Sequence, residues 1–242
     1  MTEKKDWFKS WFNTKYYHIL YKHRDDTEAR IFIRNMLEFL DLNKDDLLLD
    51  LACGKGRHSI YLNSLGFNVI GADLSKNSID EAKKFENERL KFVVRDMRHT
   101  FKRKYNAIFN LFTSFCFFED DNEDIVVLRN VKNALQPNGV AVIDFMNAKQ
   151  VISNLVVKEE QVIDGIHFRI SRYVEGGFIV KKICFTADGQ NHTFYEKVKS
   201  IDLLKILSYA EAVGFKIKHI FGNYQLDPFD EHTSDRLILV LE

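Results

Sequence analysis

The stretch Asp50-Leu51-Ala52-Cys53-Gly54-Lys55-Gly56-Arg57 decides how the chain is read. It grows out of Leu47-Leu48-Leu49, an apolar run of the kind that forms a strand buried on both faces. It leads into Arg57 to Leu65, a helical pattern stopped by Gly66. Where a strand turns straight into a helix, only residues without bulky side chains let the backbone approach a ligand, and glycine also permits the dihedrals required. Gly54 and Gly56 meet that need, with the small residues Ala52 and Cys53 ahead of them. A lone G-x-G also suits an ordinary tight turn, so its meaning depends on what stands at fixed distances from it.

Strands and helices alternate downstream. Phe67 to Ala72 predicts a second strand, and Ser75 caps a helix carrying Ile79, Ala82 and Phe85. Lys91 to Arg95 and Tyr105 to Phe112 predict the third and fourth strands. A helix over Asp124 to Leu135 and the turn Gln136-Pro137-Asn138-Gly139 then lead into a fifth strand, Gly139 to Phe145. Such alternation implies a parallel sheet with helices on both faces. After Phe145 the texture changes: Asp164-Gly165, Gly176-Gly177 and Asp188-Gly189 separate four β-rich runs between about Val156 and Lys199, an antiparallel meander. Ser200 is the expected cap of a helix with Leu203, Leu207, Ala210 and Val213 on one face, ended by Gly214. Phe215 to Phe221 and Arg236 to Leu241 supply two closing strands, seven in all for the main sheet. Upstream, Trp7, Phe8, Trp11, Phe12, Tyr17, Leu20 and Tyr21 share a helical face, and Asp25 with Glu28 gives a capping-box-like start to a helix bearing Ile33, Leu37 and Leu40. The expectation is one domain: a helical cap over 1–44, a core over 45–147, a β insertion over 156–200 and closing elements over 201–242.

Three acids stand at fixed distances from the glycines. Asp73, in Gly71-Ala72-Asp73-Leu74-Ser75, ends the second strand about 20 residues on, where an acid in a nucleotide-binding βαβ unit accepts hydrogen bonds from ribose hydroxyls. It would otherwise cap the next helix, but Ser75 is better placed for that. Asp96, in Arg95-Asp96-Met97 at the third strand's tip, suits an adenine amino group, with the Met97 thioether against the purine face; the competing role is a salt-bridged surface turn. Asp50 is an acid inside an apolar strand, costly unless paired, and binding a cationic ligand end would explain it. An acid beside the bend also disfavours a pyrophosphate there.

Together these features resemble the class I S-adenosylmethionine-dependent methyltransferases. DLACGKG is similar to the family's first motif, GADLS to its second-strand acid, VVRDM to its adenine contact and LQPNGVAVIDF to the turn entering its fifth strand. The resemblance covers about Leu47 to Phe145. It implies an α/β fold with a seven-stranded, mostly parallel Rossmann-like sheet and S-adenosyl-L-methionine as cofactor. Carried over, Asp50, Ala52, Cys53, Gly54 and Gly56 border the methionine part, Asp73 and Leu74 the ribose, and Arg95, Asp96 and Met97 the adenine. Leu111 or Phe112 lines the floor. The start, YHILYKHRDDTEA, is similar to small-molecule methyltransferases, including those acting on amino sugars, in which a tyrosine-bearing segment closes over the cofactor; this implies lid roles for Tyr17 and Tyr21, against a plain packing role. Asn106 departs from the acid that often starts the fourth strand, a position usually structural.

Bulk properties set limits. Of 242 residues, 45% are hydrophobic and 29% charged, ordinary for a folded domain, and 21 phenylalanines provide apolar mass for a core. The formal net charge is zero, so the basic footprint of a nucleic-acid binder is missing and an RNA acceptor ranks below a small molecule. Cys53, Cys116 and Cys184 have neither disulfide nor zinc spacing, the histidines lack metal spacing, and no metal is expected. No run approaches the roughly 20 apolar residues of a membrane span, and the start lacks a signal-peptide core, so a cytoplasmic location is the default.

Transfer of a sulfonium methyl mainly requires that the acceptor be held opposite the sulfur and water excluded. A general base is optional, and no residue can be named for it; His58 is read as packing or capping. Asp144 and Asn147, at the fifth strand's end, are candidates for acceptor contacts. The main expectation is methyl transfer to a small-molecule nitrogen or oxygen. Its competitors are a non-catalytic cofactor binder, an RNA methyltransferase and a nicotinamide-dependent oxidoreductase, the last requiring a third glycine where Ser59 stands. Unpaired edges of the β insertion favour a homodimer.

Overall fold

The computed structural model describes residues 7–22 and 26–242. Asp25 of the expected capping box lies outside them. The amino-terminal aromatic stretch forms two short helices, α1 (Trp7–Trp11) and α2 (Lys15–Leu20), because Thr14 interrupts the first and caps the second, its hydroxyl accepting from the Tyr17 N–H at 3.1 Å. The long helix α3 (Asp26–Leu40) follows.

The core alternates β1 (Leu47–Leu51), α4 (Arg57–Ser64), β2 (Asn68–Asp73), α5 (Lys76–Ala82), β3 (Leu90–Val94), β4 (Tyr105–Asn110), α6 (Asp121–Asn133) and β5 (Leu135–Met146). Next come α7 (Ala148–Ser153), the strands β6 (Lys158–Ile163), β7 (Ile166–Glu175), β8 (Phe178–Ala187) and β9 (Gln190–Lys199), then α8 (Leu203–Ala212), β10 (Ile217–Phe221) and β11 (Arg236–Leu241). The main sheet has seven strands in the order β10-β11-β5-β4-β1-β2-β3, parallel except for β11 against both its neighbours. The order reverses between β1 and β4, so the tips of β1, β2, β3 and β4 open together at the crevice where open α/β sheets bind ligands. Leu49, Ile108 and Ile143 face one buried cluster, while Leu48, Ala107 and Val142 face the other, as a sheet covered on both faces requires. Asn106 is structural: its side-chain oxygen accepts from the Leu47 N–H at 3.0 Å and ties two strand starts together.

The insertion is a four-stranded antiparallel sheet, β6-β7-β8-β9. Asp164-Gly165, Gly176-Gly177 and Asp188-Gly189 each place two successive residues at positive φ, the conformation that matches strand twist in tight hairpins. Four local expectations need correction. Ser200 does not cap α8, because its hydroxyl donates to the Gly177 carbonyl; Asp202 caps instead, accepting from the Lys205 N–H at 2.8 Å. The buried face of α8 is Ile206, Tyr209 and Ala210, with Leu203, Leu207 and Val213 only partly covered. Helix α6 begins earlier, at Asp121, with Asp120 as its cap. Helix α7 interrupts what reads as a direct passage into the insertion.

Candidate active site

The bend after β1 carries three left-handed residues, Ala52, Gly54 and Gly56, with φ of 62°, 56° and 82°. The two glycines serve different needs. A Cβ on Gly56 would lie 2.6 Å from the Phe92 ring, so its bareness is demanded by packing beneath the bend. A Cβ on Gly54 would meet nothing within 4 Å, so its bareness opens onto free space. Asp73 reinforces the bend: one carboxylate oxygen accepts from the Gly54 N–H at 2.8 Å and the other from the Ser75 N–H at 2.7 Å. Burial raises its pKa against the pull of those backbone donors. Ser75 keeps the capping duty, accepting from the Ser78 N–H.

A cavity of about 780 Å³ opens above these strand tips. Ala52, Cys53, Gly54, Asp73 and Leu74 line it at the tips of β1 and β2. Arg95, Asp96 and Met97 line it after β3, and Leu111 and Phe112 after β4. Asp96 is gripped by Arg98, whose Nη2 donates at 2.7 Å and whose Nη1 reaches Glu123 at 2.6 Å. Burial pushes the Asp96 carboxyl up, but the hydrogen bonds and charge of Arg98 outweigh it and hold it below its ordinary value. Tyr17 and Tyr21 of the amino-terminal segment also line the cavity.

Four expected residues are not in the wall. Gly56 lies beneath it. Asp50 is buried behind the bend, where the Ser59 hydroxyl donates to it at 2.6 Å; burial raises its pKa to about 6. Its need for a partner is thus met by Ser59, the position where a third glycine would stand. Asp144 is also buried, and its carboxylate accepts from the Phe112 N–H at 2.7 Å, Arg236 Nε at 2.8 Å and the Tyr224 hydroxyl at 3.2 Å. These bonds hold the loop after β4, in which Phe112 and Thr113 adopt φ of 58° and 59°. Asn147 donates to the carbonyls of Glu231 and Ser234 and so fixes the segment before β11. Asp144 and Asn147 therefore shape the floor from beneath.

Several wall residues were not anticipated. Glu196 and Val198 reach the cavity from β9, so the insertion covers the site. The Glu196 carboxylate accepts from Trp11 Nε1 at 2.6 Å and from the Tyr21 hydroxyl at 2.8 Å, and Lys181 Nζ donates to that hydroxyl at 2.6 Å. The end of β9 is stitched to the loop after β4 by the Lys199 N–H on the Cys116 carbonyl, 3.0 Å. Glu196 had a legible signal: it interrupts the alternate stripe His192, Phe194, Val198 of one strand face. Trp7, His18, Lys55, Arg57, His58 and Arg236 are among the other wall residues that the sequence reading did not single out. His58 does pack, stacked on Phe112 at 5.0 Å between ring centroids, but it also faces the cavity.

A seven-stranded sheet of this order, with a bare-backbone bend and acids at the next two strand tips, defines a class I S-adenosylmethionine-dependent methyltransferase. A family model described as a methyltransferase domain matches residues 42–201, and the chain belongs to that family. It is 24% identical over 206 residues to a cypemycin N-terminal methyltransferase of a Streptomyces species, an alignment covering 80% of this chain and 82% of that one. Among solved structures, an S-adenosylmethionine-dependent methyltransferase from Clostridium acetobutylicum superposes with a TM-score of 0.79 at 20% identity, covering 94% and 95% of the two chains. A sugar N-methyltransferase from a Streptoalloteichus species superposes with a TM-score of 0.74 at 18% identity, covering 93% and 92%.

The wall fits S-adenosylmethionine on its own chemistry. Gly54 leaves an open cradle, and three buried polar atoms of wall residues have no hydrogen-bond partner among the described residues: Trp7 Nε1, His18 Nε2 and Arg95 Nε. Orphaned polar atoms are rare in folded interiors, and a cluster of them around one cavity marks where ligand atoms belong. Among the described residues, no cluster of three or more histidine, cysteine, aspartate or glutamate side chains could hold a metal ion. None of the described helices is long and apolar enough to cross a membrane.

Proposed function

We propose that the protein methylates an amine nitrogen of a small molecule. The observation that carries this is Glu196, among the described residues the one acid of the cavity wall apart from Asp73 and Asp96. Its carboxylate has about four acceptor positions; Trp11 uses one and the Tyr21 hydroxyl reaches both oxygens, so in this proposal an N–H of the acceptor takes a remaining one. The names of two relatives, an N-terminal methyltransferase and a sugar N-methyltransferase, support a nitrogen acceptor.

In this proposal Asp73 holds the ribose hydroxyls, Asp96 and Met97 the adenine, and the backbone of Ala52 to Gly54 the methionine part, with Leu74, Arg95, Leu111 and Phe112 completing the seat. S-adenosylmethionine supplies a methyl group already activated by its sulfonium. Glu196 holds the amine so that its lone pair faces the bend, and the Tyr21 phenol, fixed by Lys181, keeps the carboxylate in place. Trp11, Tyr17 and Tyr21 cover the site from the amino-terminal side and exclude water. We also take residues 1–242 as one folding unit, because one buried cluster joins Trp11, Ile143, Phe168 and Leu239.

The test is transfer of an isotopically labelled methyl group from S-adenosylmethionine to a panel of small amines and their matched alcohols, read by mass spectrometry. Label on amines is the expected result. Label confined to alcohols or to RNA refutes the nitrogen assignment.

A further inference from the structure

His18 of α2 lines the cavity, yet its Nε2 is buried and has no hydrogen-bond partner among the described residues. Its ring is not loosely held. Asn13, just ahead of α2, latches this segment onto the core: its side-chain oxygen accepts from the Ser75 hydroxyl at 3.0 Å and the Asn77 N–H at 3.2 Å. Tyr16 donates to Asp188 at 2.7 Å, and Tyr17 rests edge-on against the imidazole at 5.3 Å. Three anchors hold in place a ring whose inner nitrogen contacts no acceptor among the described residues. An unmet buried polar atom is costly, so a ligand atom is the natural partner.

Charge selects which atom. Burial, reinforced by the field of Lys55, lowers the pKa of His18 to about 4. The ring is therefore neutral near pH 7 and offers one N–H donor. Lys55 lies in the bend itself and lines the same cavity. Glu81, the nearby acid, is already paired with Lys84 at 2.6 Å. A neutral donor beside a lysine favours an anionic oxygen, and the carboxylate of its amino-acid end is the anionic group S-adenosylmethionine has. Asp73 and Asp96, at the next two tips, would repel it from the sugar and purine ends.

We propose that His18 donates its Nε2–H to the carboxylate of the cofactor's amino-acid end, beside Lys55, so that the amino-terminal segment is a direct part of the cofactor seat. This rests on the cofactor placement proposed above. Two ligands separate the outcomes: S-adenosylhomocysteine, which has the amino-acid end, and 5′-methylthioadenosine, which keeps the adenosine and thioether but lacks that end. Calorimetry on the full chain measures both against wild type, His18→Ala and His18→Gln. His18→Ala is expected to weaken S-adenosylhomocysteine about tenfold, the scale of one hydrogen bond to a charged group, and to leave methylthioadenosine within about twofold. His18→Gln, whose amide can still donate, recovers most of the loss and covers the case in which the alanine variant does not fold. Equal weakening of both ligands marks a packing role and overturns the proposal, as does no weakening of either. If wild type binds neither ligand, the cofactor placement itself fails, a result distinct from both.

Discussion

Gly54→Ala and Gly56→Ala are chemically the same change two residues apart, and the structure predicts opposite consequences. Both glycines have positive φ, so each alanine incurs the left-handed backbone penalty of about 1–2 kcal/mol. At Gly54 that is the whole cost to the free protein, because the added methyl meets no protein atom within 4 Å. At Gly56 the methyl would sit 2.6 Å from the Phe92 ring, which must move, and overpacking adds about 1–3 kcal/mol. Urea unfolding should therefore rank Gly56→Ala as the less stable variant by that margin. Ligand binding should rank them the other way. The methyl on residue 54 occupies the space into which the cofactor's backbone-hugging portion must come. Losing even about 2 kcal/mol of that contact weakens S-adenosylhomocysteine roughly thirtyfold by calorimetry. Gly56→Ala, measured where it is still folded, should bind within a few-fold of wild type. If Gly54→Ala binds with wild-type affinity, the open face of the bend is not where the cofactor lies, and the proposed seat is wrong.

Three further outcomes are expected. Glu196→Gln should raise KM for an amine acceptor about tenfold, the loss of a charge-assisted hydrogen bond, while calorimetry finds S-adenosylhomocysteine affinity unchanged; a fall in cofactor affinity instead would make Glu196 a latch for the amino-terminal helices. Lys199→Met leaves Asp124, now bonded to Lys199 Nζ at 2.6 Å, buried without its counter-charge, and should destabilise by about 3–5 kcal/mol in urea titration. Asp50 carries a folded-state pKa raised by burial from its ordinary 3.8 to about 6, so its contribution is fully present below the lower value and lost as pH rises through the upper one. Asp50→Asn should accordingly flatten the decline of stability between pH 4 and 7, a relative gain on the order of 2–3 kcal/mol at neutral pH, and unfolding midpoints that keep the wild-type slope would refute this.

What could be read from the chain and what could not divide along the range of the interactions involved. The bend, the strand-tip acids and the hairpin turns are local: Gly54 and Asp73 are fixed by the turn each occupies, and alternation carries Asp96 to the next tip. Their placement in the cavity wall followed. What the sequence does not show is a partner that lies far along the chain. Asp144 looks like a ligand group at a strand end until Arg236, 92 residues on, is seen against it, and Asn147 likewise until the segment carrying Glu231 and Ser234 folds over it. Asp50 is the shorter-range case: Ser59, nine residues on in the first turn of α4, donates to it, and that rotamer is invisible in sequence. Ser200 and Asp202 are both good caps by type, and only the hairpin turn at Gly177 decides which of them is free to cap.

If the cofactor lies where we propose, the insertion can shape the acceptor side of the cavity without touching the cofactor's seat. The strand tips that hold Asp73 and Asp96 belong to the parallel core, and nothing in β6 to β9 bonds to either carboxylate. The insertion meets the cavity through β9, where Glu196 is held by Trp11 and Tyr21 from one side while Lys199 bridges to Asp121 and Asp124 of α6 on the other. In the proposed arrangement an acceptor at Glu196 touches the amino-terminal helices through the hydrogen bonds of Trp11 and Tyr21, at 2.6 and 2.8 Å, and the cofactor touches them at His18, next to the segment that Asn13 latches to the core. Two ligands touching one cover at separate points must influence each other's affinity by equal factors. Loading with S-adenosylhomocysteine should thus tighten acceptor binding, and the acceptor should tighten S-adenosylhomocysteine to the same degree. Unequal factors in paired calorimetric titrations are thermodynamically barred, so the informative refutation is a factor of one, which would mean that the cover does not move as a unit.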